Sequence, residues 1–142
     1  MSKSDVFEND LLRLIFNAVP IPNLADDAAV GPLTDLYVAW HTADPGEAGN
    51  QSTSEATYTG YARTAVPRDA ANWAVTGNSV SPVNDIPAPA ATAGNETLTH
   101  FSIGAVATGT GKIFYSGTVA PTVAVSAGVT PILTAGTTIT ED

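Results

Sequence analysis

The stretch DLYVAWH, residues Asp35–His41, decides the fold class of this chain. Its side chains alternate in two sets, Leu36, Val38 and Trp40 in one and Tyr37, Ala39 and His41 in the other. A period of two places successive side chains on opposite faces of a β-strand, whereas a helix repeats about every 3.6 residues. The sequence therefore predicts a strand here, with Val38 and Trp40 facing the core.

Strand patterns continue through the rest of the chain. They cover 57–66, a hairpin at 72–83, 96–106, 112–119 and short segments at 123–125, 130–133 and 137–140. The total of about eight short strands, with turn signals about every 8 to 12 residues, is typical of a jelly roll or β-sandwich. No helical pattern separates these strands, which excludes a parallel α/β fold. Six large residues should be mostly buried: Val38, Trp40, Trp73, Phe101, Ile103 and Phe114.

One α-helix is predicted, over residues 4–17. Ser4 or Asp5 can cap it, and acidic residues crowd its first turns, where the helix dipole favours negative charge. One apolar face consists of Phe7, Leu11, Leu14 and Ile15. Three further apolar residues lie off that face, namely Val6, Leu12 and Phe16. We therefore expect the helix to pack on two surfaces, either closing its own domain or contacting a neighbouring subunit.

The length of 142 residues favours a single domain over 1–142. Within it we expect the N-terminal helix at 4–17, a connector at 18–34 and the β-sandwich at 35–142. Pro20 and Pro22 end the helix, and small and acidic residues continue to Pro32.

Composition excludes several classes of function. The chain has no cysteine, which removes disulfides, thiolate nucleophiles and cysteine-type zinc sites. It has 5 basic and 14 acidic residues, a net charge of −9, while only 13% of its residues are charged. A surface of this sign repels phosphate backbones, so we expect no direct binding of nucleic acid.

The N-terminus has an apolar run without the layout of a signal peptide. Asp5, Glu8 and Asp10 precede the run and Arg13 interrupts it, whereas a signal peptide needs a basic region followed by an unbroken apolar one. The run is also too short to span a bilayer. We expect synthesis in the cytoplasm and no membrane partner.

Motifs that could carry chemistry fail on spacing. TGTGK at 108–112 resembles the end of a phosphate loop, but Ile113 stands where a serine or threonine must bind magnesium. The two histidines are 59 positions apart and in no metal-binding motif. The carboxylates of Asp44, Glu47 and Glu55 match no calcium-loop template. The sequence therefore predicts a non-enzymatic protein with no catalytic, cofactor-binding or metal-binding residues.

The stretch HTADPGEAGNQSTSEATYTGYAR, residues 41–63, looks at first like a site, with a histidine, three carboxylates, two tyrosines and an arginine. Asp44–Glu47 has the composition of a turn, and 48–56 holds no large apolar residue, which indicates an exposed loop between strands. Its polar side chains can bond their own backbone and hold a shape. Arg63 can pair with an acid of the loop. A structural connector and a contact loop against a partner both remain open.

Several segments resemble a known family: 7–17, 33–63, 72–80, 99–117 and the closing ITED, with LYVAWHTADPGE and TGYAR as the strongest part. They are similar to small bacteriophage virion proteins that are commonly labelled tail-fibre proteins and that resemble the jelly-roll cement, or decoration, proteins of icosahedral heads. The resemblance implies a structural virion role and supplies no catalytic residue.

From these observations we expect a capsid decoration protein on the outer head surface, since the chain shows no stalk or repeats. The alternative is a tail-fibre, tail-tip or carbohydrate-binding component. The expected partners are the major capsid protein lattice and the chain itself, as a homotrimer whose closed symmetry satisfies its sheet edges. The expected contact elements are the helix, the connector 20–32 and the loop 44–55. Their candidate contact residues are Phe7, Leu11, Leu12, Phe16, Asp44, Glu47 and Glu55.

Overall fold

The structure, a computed structural model, describes residues 4–21 and 33–141. This part of the chain forms one helix and nine strands. They are α1 (Asp5–Asn17), β1 (Asp35–His41), β2 (Thr64–Pro67), β3 (Trp73–Thr76), β4 (Ser79–Pro82), β5 (Ile86–Pro87), β6 (Glu96–Gly104), β7 (Ile113–Val125), β8 (Ile132–Leu133) and β9 (Ile139–Thr140). The prediction of an all-β fold of the sandwich class with one N-terminal helix is confirmed. Of the connector predicted at 18–34, residues 22–32 lie outside the described residues.

The chain divides into two compact units that interleave in sequence. One comprises 1–34, 67–85 and 134–142, and the other comprises 35–66 and 86–133. The first contains α1 and the sheet β3-β4-β9, and the second contains the sheet β2-β1-β6-β7 and the pair β5-β8. Each unit is described by itself below, and the single domain over 1–142 stays a prediction.

The second unit is built on β1, the strand from which the fold class was predicted. Leu36, Val38 and Trp40 are all buried, as their alternation indicates. Antiparallel pairing with β6 aligns Trp40 with Phe101 and Val38 with Ile103. Toward its C-terminal end β1 is buried on both faces, because the loop that follows it turns back over the sheet and bonds His41.

Two predicted strands differ from the observed ones. The strand expected at 57–66 is reduced to β2, because the Glu96 carboxylate accepts hydrogen bonds from the backbone N–H groups of Thr57 and Tyr58, which a sheet ladder would otherwise use. β7 runs through Pro121, where the sequence suggested a break. Its pairing with β6 is irregular between Leu98 and His100, and Pro121 lies in that unpaired bulge.

The first unit packs α1 on the β3–β4 hairpin, whose turn lies at Gly77 within the hairpin predicted at 72–83. The Phe16 ring meets Trp73 edge to face, with centroids 4.9 Å apart. Leu12 and Phe16 are fully buried, whereas Leu11 is only half-buried. The predicted apolar face, centred on Phe7, Leu11, Leu14 and Ile15, is therefore wrong by about one residue. The fully buried residues of α1 are instead Leu12 and Phe16, which the sequence analysis placed off the apolar face.

Both ends of α1 are capped by side chains. Ser4 Oγ accepts a hydrogen bond from Phe7 N at 3.4 Å, as predicted for the N-terminus. At the other end the Arg68 guanidinium donates to the carbonyl oxygens of Leu14 and Ile15, at 2.6 and 2.7 Å. A cation at the C-terminus complements the helix dipole. Burial lowers the pKa of Arg68.

Candidate functional site

The polar residues of 41–63 converge on Arg63, whose side chain is 2% exposed. Its Nε and Nη2 donate to Glu55 Oε1 and Oε2 at 2.7 and 2.8 Å, a bidentate ion pair. The hydrogen bond to Glu55 is the main cause that raises the pKa of Arg63. The prediction that Arg63 pairs with an acid of the loop is thus confirmed, and that acid is Glu55.

The other donors of Arg63 bind a second loop. Nη1 donates to the Val106 carbonyl at 3.0 Å, and Nη2 donates to the Gly109 carbonyl at 2.7 Å. Both acceptors belong to the connection between β6 and β7. One guanidinium therefore ties the loop after β1 to the loop before β7, and fixed backbone carbonyls leave it little freedom to move.

Tyr61 completes the cluster from the other side of Glu55. Its hydroxyl donates to Glu55 Oε1 at 2.8 Å and accepts from the backbone N–H of Trp40 at 3.1 Å. Burial, reinforced by the charge of Glu55, raises the pKa of Tyr61 well above its usual range. This tyrosine is held neutral, and its hydroxyl connects β1 with the loop through the two hydrogen bonds.

His41 is fully buried at the end of β1. Its Nδ1 lies 2.8 Å from the Thr53 carbonyl, which can only accept, so Nδ1 carries the proton. In the neutral ring Nε2 is then an acceptor for the Ser102 hydroxyl, also at 2.8 Å. Burial lowers the pKa of His41. The histidine is therefore neutral and holds the loop to the sheet.

Gln51, which the sequence did not single out, anchors the middle of the loop. It is fully buried, its Nε2 approaches the Tyr37 carbonyl at 3.4 Å, and its Oε1 accepts from Val106 N at 3.1 Å. A Cβ on Gly104 or on Gly111 would collide with the Gln51 side chain. The glycines at 104 and 111 are the only sequence feature connected with the burial of Gln51, and the sequence alone does not link them to position 51.

The predicted acidic trio is split by this arrangement. Glu55 is locked in the ion pair, while Asp44 and Glu47 are exposed at the loop tip. Asp44 Oδ1 accepts from Gly46 N at 2.9 Å, and Gly46 adopts a φ of 68°, as the predicted turn requires. Within residues 4–21 and 33–141, no group of three or more histidine or acidic side chains is placed to hold a metal ion.

A cleft of about 390 Å³ opens beside the loop tip. One wall contains Asp44, Gly46, Glu47 and Gly49, and the other is the start of β7, Ile113, Phe114, Tyr115 and Ser116. Phe114 is only half-buried, contrary to its predicted burial, because it lines this cleft. The other five residues predicted to be buried are buried.

The remaining candidate contact residues lie on α1. Leu12 and Phe16 are fully buried inside their own unit, so in this structure they offer no surface to a partner. Phe7 and Leu11 are half-buried. A contact through Phe7, Leu11, Asp44 or Glu47 stays a prediction.

A carbohydrate-binding module would stack its sugar on exposed aromatic rings, but both tryptophans and Tyr58 are buried. Trp40 and Trp73 are buried at 1% and 0% exposure, which by the criterion of an open aromatic face disfavours a carbohydrate-binding module. Tyr58 is buried as well, and its hydroxyl donates to the Pro89 carbonyl at 2.8 Å. In the described part of the chain, no helix combines the length and the apolar character needed to cross a membrane.

An all-β fold in which His41, Tyr61 and Arg63 all hold one loop is typical of a structural protein. More specifically, the chain belongs to the family described as podophage GP4 fiber I protein gp80, whose model matches residues 2–140. This is a family of phage virion structural proteins and not an enzyme family, which confirms the resemblance to small virion proteins. A search of curated proteins finds no match.

Proposed function

We propose that the chain is a non-enzymatic building block of the virion exterior, used as a subunit of a fibre. The observation that carries the proposal is the locked loop at 42–56. This loop is held in place by the side-chain hydrogen bonds of His41, Glu55, Tyr61 and Arg63. A rigid loop with an exposed tip suits contact with another protein better than chemistry on a small substrate.

The fibre assignment is supported by the description of the family, which names a fiber protein. The charge also suits an external position. A net charge of −9 spread over a mostly neutral surface keeps the protein from competing for the packaged genome.

Decoration of the outer head lattice is the second candidate function. The chain is short, at 142 residues, and contains no internal repeat of the kind from which stalks are built. In this form the partners are the major capsid protein and sister copies in a homotrimer on three-fold positions. Many weak contacts made at once would supply the affinity.

Cryo-EM of virions, with and without the gene for this chain, tests both candidates. Difference density that projects as a fibre supports the first proposal, and difference density spread over the shell lattice replaces it with the second. Particles that lack the chain altogether, as shown by mass spectrometry of purified virions, would overturn both.

A further inference from the structure

The loop at 42–56 is held to the sheet β2-β1-β6-β7 by one buried ring. Nδ1 of His41 donates to the Thr53 carbonyl in the loop, and Nε2 accepts from the Ser102 hydroxyl on β6, both at 2.8 Å. An antiparallel backbone bridge also pairs His41 with Glu55. A single imidazole therefore contacts the loop on one side and the sheet on the other.

This arrangement requires the neutral ring. His41 and Ser102 are both fully buried, and among the described residues the Ser102 hydroxyl has no hydrogen-bond partner other than His41. A proton on Nε2 would make that nitrogen a donor, so the hydroxyl would have to accept, and its own proton would be left without a partner. A buried donor without an acceptor destabilises the closed loop.

The charges around His41 also balance only while the ring is neutral. The charged or titratable groups that face it are Glu55 in the loop, Arg63 before β2 and His100 on β6. Glu55 and Arg63 form an ion pair, so their charges cancel. A proton on His41 would therefore add an uncompensated positive charge beside that pair, at a position with no exposure to solvent.

Opening of the loop removes both sources of destabilisation. Once the loop leaves the sheet, the charged ring and the Ser102 hydroxyl reach water. The carboxylates of Asp44 and Glu47 give no relief in the closed form, because they are exposed at the loop tip and do not face His41. The sheet itself needs no change, because β1 and β6 pair through their backbones.

We infer that His41 is an acid-sensitive switch, whose protonation releases the loop at 42–56 while the sheet beneath it stays paired. The switch depends only on groups of this chain. That the exposed loop tip contacts a partner rests on the proposed function, and under that function acid weakens the contact.

The pH range of the switch follows from the sign of the pKa shift. Burial lowers the pKa of His41 in the closed loop, whereas in the open loop the ring regains its ordinary value of about 6.5. Opening therefore takes up a proton. Below about pH 6.5 the equilibrium constant for opening rises about tenfold for each pH unit, until the lowered value is reached.

Hydrogen exchange of the purified full chain, followed by NMR at a series of pH values from neutral into acid, tests the switch. The probes are the amides of Thr42, Gln51 and Ala56, which donate hydrogen bonds that hold the loop. After correction for the intrinsic exchange rate, their protection should fall about tenfold per pH unit below about pH 6.5. Amides that pair β1 with β6 should keep their protection.

His41→Gln is the direct variant. It keeps a donor for the Thr53 carbonyl and cannot gain a charge, so the acid-dependent loss of protection should disappear. His100→Gln is the matched control, because it removes only a minor neighbouring charge and should keep most of that loss.

Ser102→Ala gives an independent readout through the imidazole signals of His41. The variant removes both the donor to the neutral ring and the hydroxyl proton that protonation strands. The NMR titration midpoint of His41 should therefore rise toward pH 6.5, and the acid-dependent loss of loop protection should become smaller. Comparison with His100→Gln assigns the signals, since the chain has two histidines.

Unchanged loop protection in acid, an equal loss in His41→Gln, or an unmoved midpoint in Ser102→Ala would overturn the switch. Loss of protection in the β1–β6 pair at the same pH as in the loop would show global unfolding in place of local release, which also overturns it. These measurements are made on the isolated chain, so their failure is distinguishable from a failure of the proposed function.

Discussion

Replacing Arg63 by methionine removes five hydrogen bonds from a side chain that is almost completely buried. Glu55 would keep its charge beside the half-buried Tyr61 without its counter-ion. Breaking one partner of a buried ion pair costs about 3–5 kcal/mol, so we expect a loss of this order in the free energy of unfolding. Chemical denaturation monitored by tryptophan fluorescence measures it.

Arg13→Met is the control for Arg63→Met, because Arg13 is exposed on the surface of α1. It should change the free energy of unfolding by no more than about 0.5 kcal/mol. Equal effects of the two substitutions would contradict the structural role of the Arg63 ion pair.

His41 should make stability depend on pH. Its folded-state pKa is lowered by burial, so the unfolded chain binds the proton more readily. The stabilisation is complete above about pH 6.5, the unfolded value, and is lost as the pH falls toward the lowered folded value. His41→Gln should flatten the slope of unfolding free energy below about pH 6.5.

The matched control for this slope is His100→Gln, on the cross-strand neighbour of His41. It removes a charge that is only a minor cause of the lowered pKa of His41, so it should reduce the slope less than His41→Gln does. If His100→Gln flattens the slope and His41→Gln does not, the acid sensitivity of the chain originates elsewhere.

At the residue scale, the sequence predicted the ion pair of Arg63 but not its hydrogen bonds to the loop before β7. An arginine near three acids in a polar loop indicates an ion pair, and Glu55 supplies it. The roles of Gln51 and Ser102 could not be predicted, because their partners lie 55 and 61 positions away in the chain. Such contacts depend on strand register, which single-sequence patterns do not encode.

At the element scale, substitutions of Leu11 and Leu12 test which face of α1 is buried. The sequence pattern places Leu11 on that face, and the structure places Leu12 there. Leu12 is fully buried against the hairpin side, whereas Leu11 is half-buried. Leu12→Ala should cost about 2–5 kcal/mol, and Leu11→Ala clearly less. Thermal and chemical unfolding of the two variants measures the difference. A larger loss for Leu11→Ala would restore the face predicted from the sequence.

The error in the helix face has a physical origin. Apolar residues occur all round α1, so periodicity alone leaves its orientation ambiguous by about one position. Trp73 settles it by packing against Phe16. The alternation of β1 gave a sharper prediction because its two sets differ in size and its core set, with Val38 and Trp40, is unambiguous.

At the scale of the whole molecule, the net charge of −9 should make added salt stabilising. Self-repulsion among exposed carboxylates is screened once the Debye length falls from about 30 Å at 0.01 M to about 8 Å at 0.15 M. We expect the melting temperature to rise modestly over this range in sodium chloride. Choline chloride should act alike if the effect is screening, whereas a response to sodium alone would contradict it.

The class of protein could be predicted because the segments that carry the resemblance are spread over nearly the whole chain. The family match over 2–140 confirms that prediction. The choice between head and fibre could not, because it depends on the partner's surface and not on the fold of this chain.

The packing of Gln51 against two glycines predicts how positions 51, 104 and 111 vary within the family. Gly104 and Gly111 leave room for its amide, and any larger residue at either position would displace it. We therefore expect a larger residue at 104 or 111 chiefly in relatives that carry a smaller side chain at 51. Pairwise covariation in an alignment of the family measures this. Independent drift at position 51 would show that the amide is dispensable to the lineage.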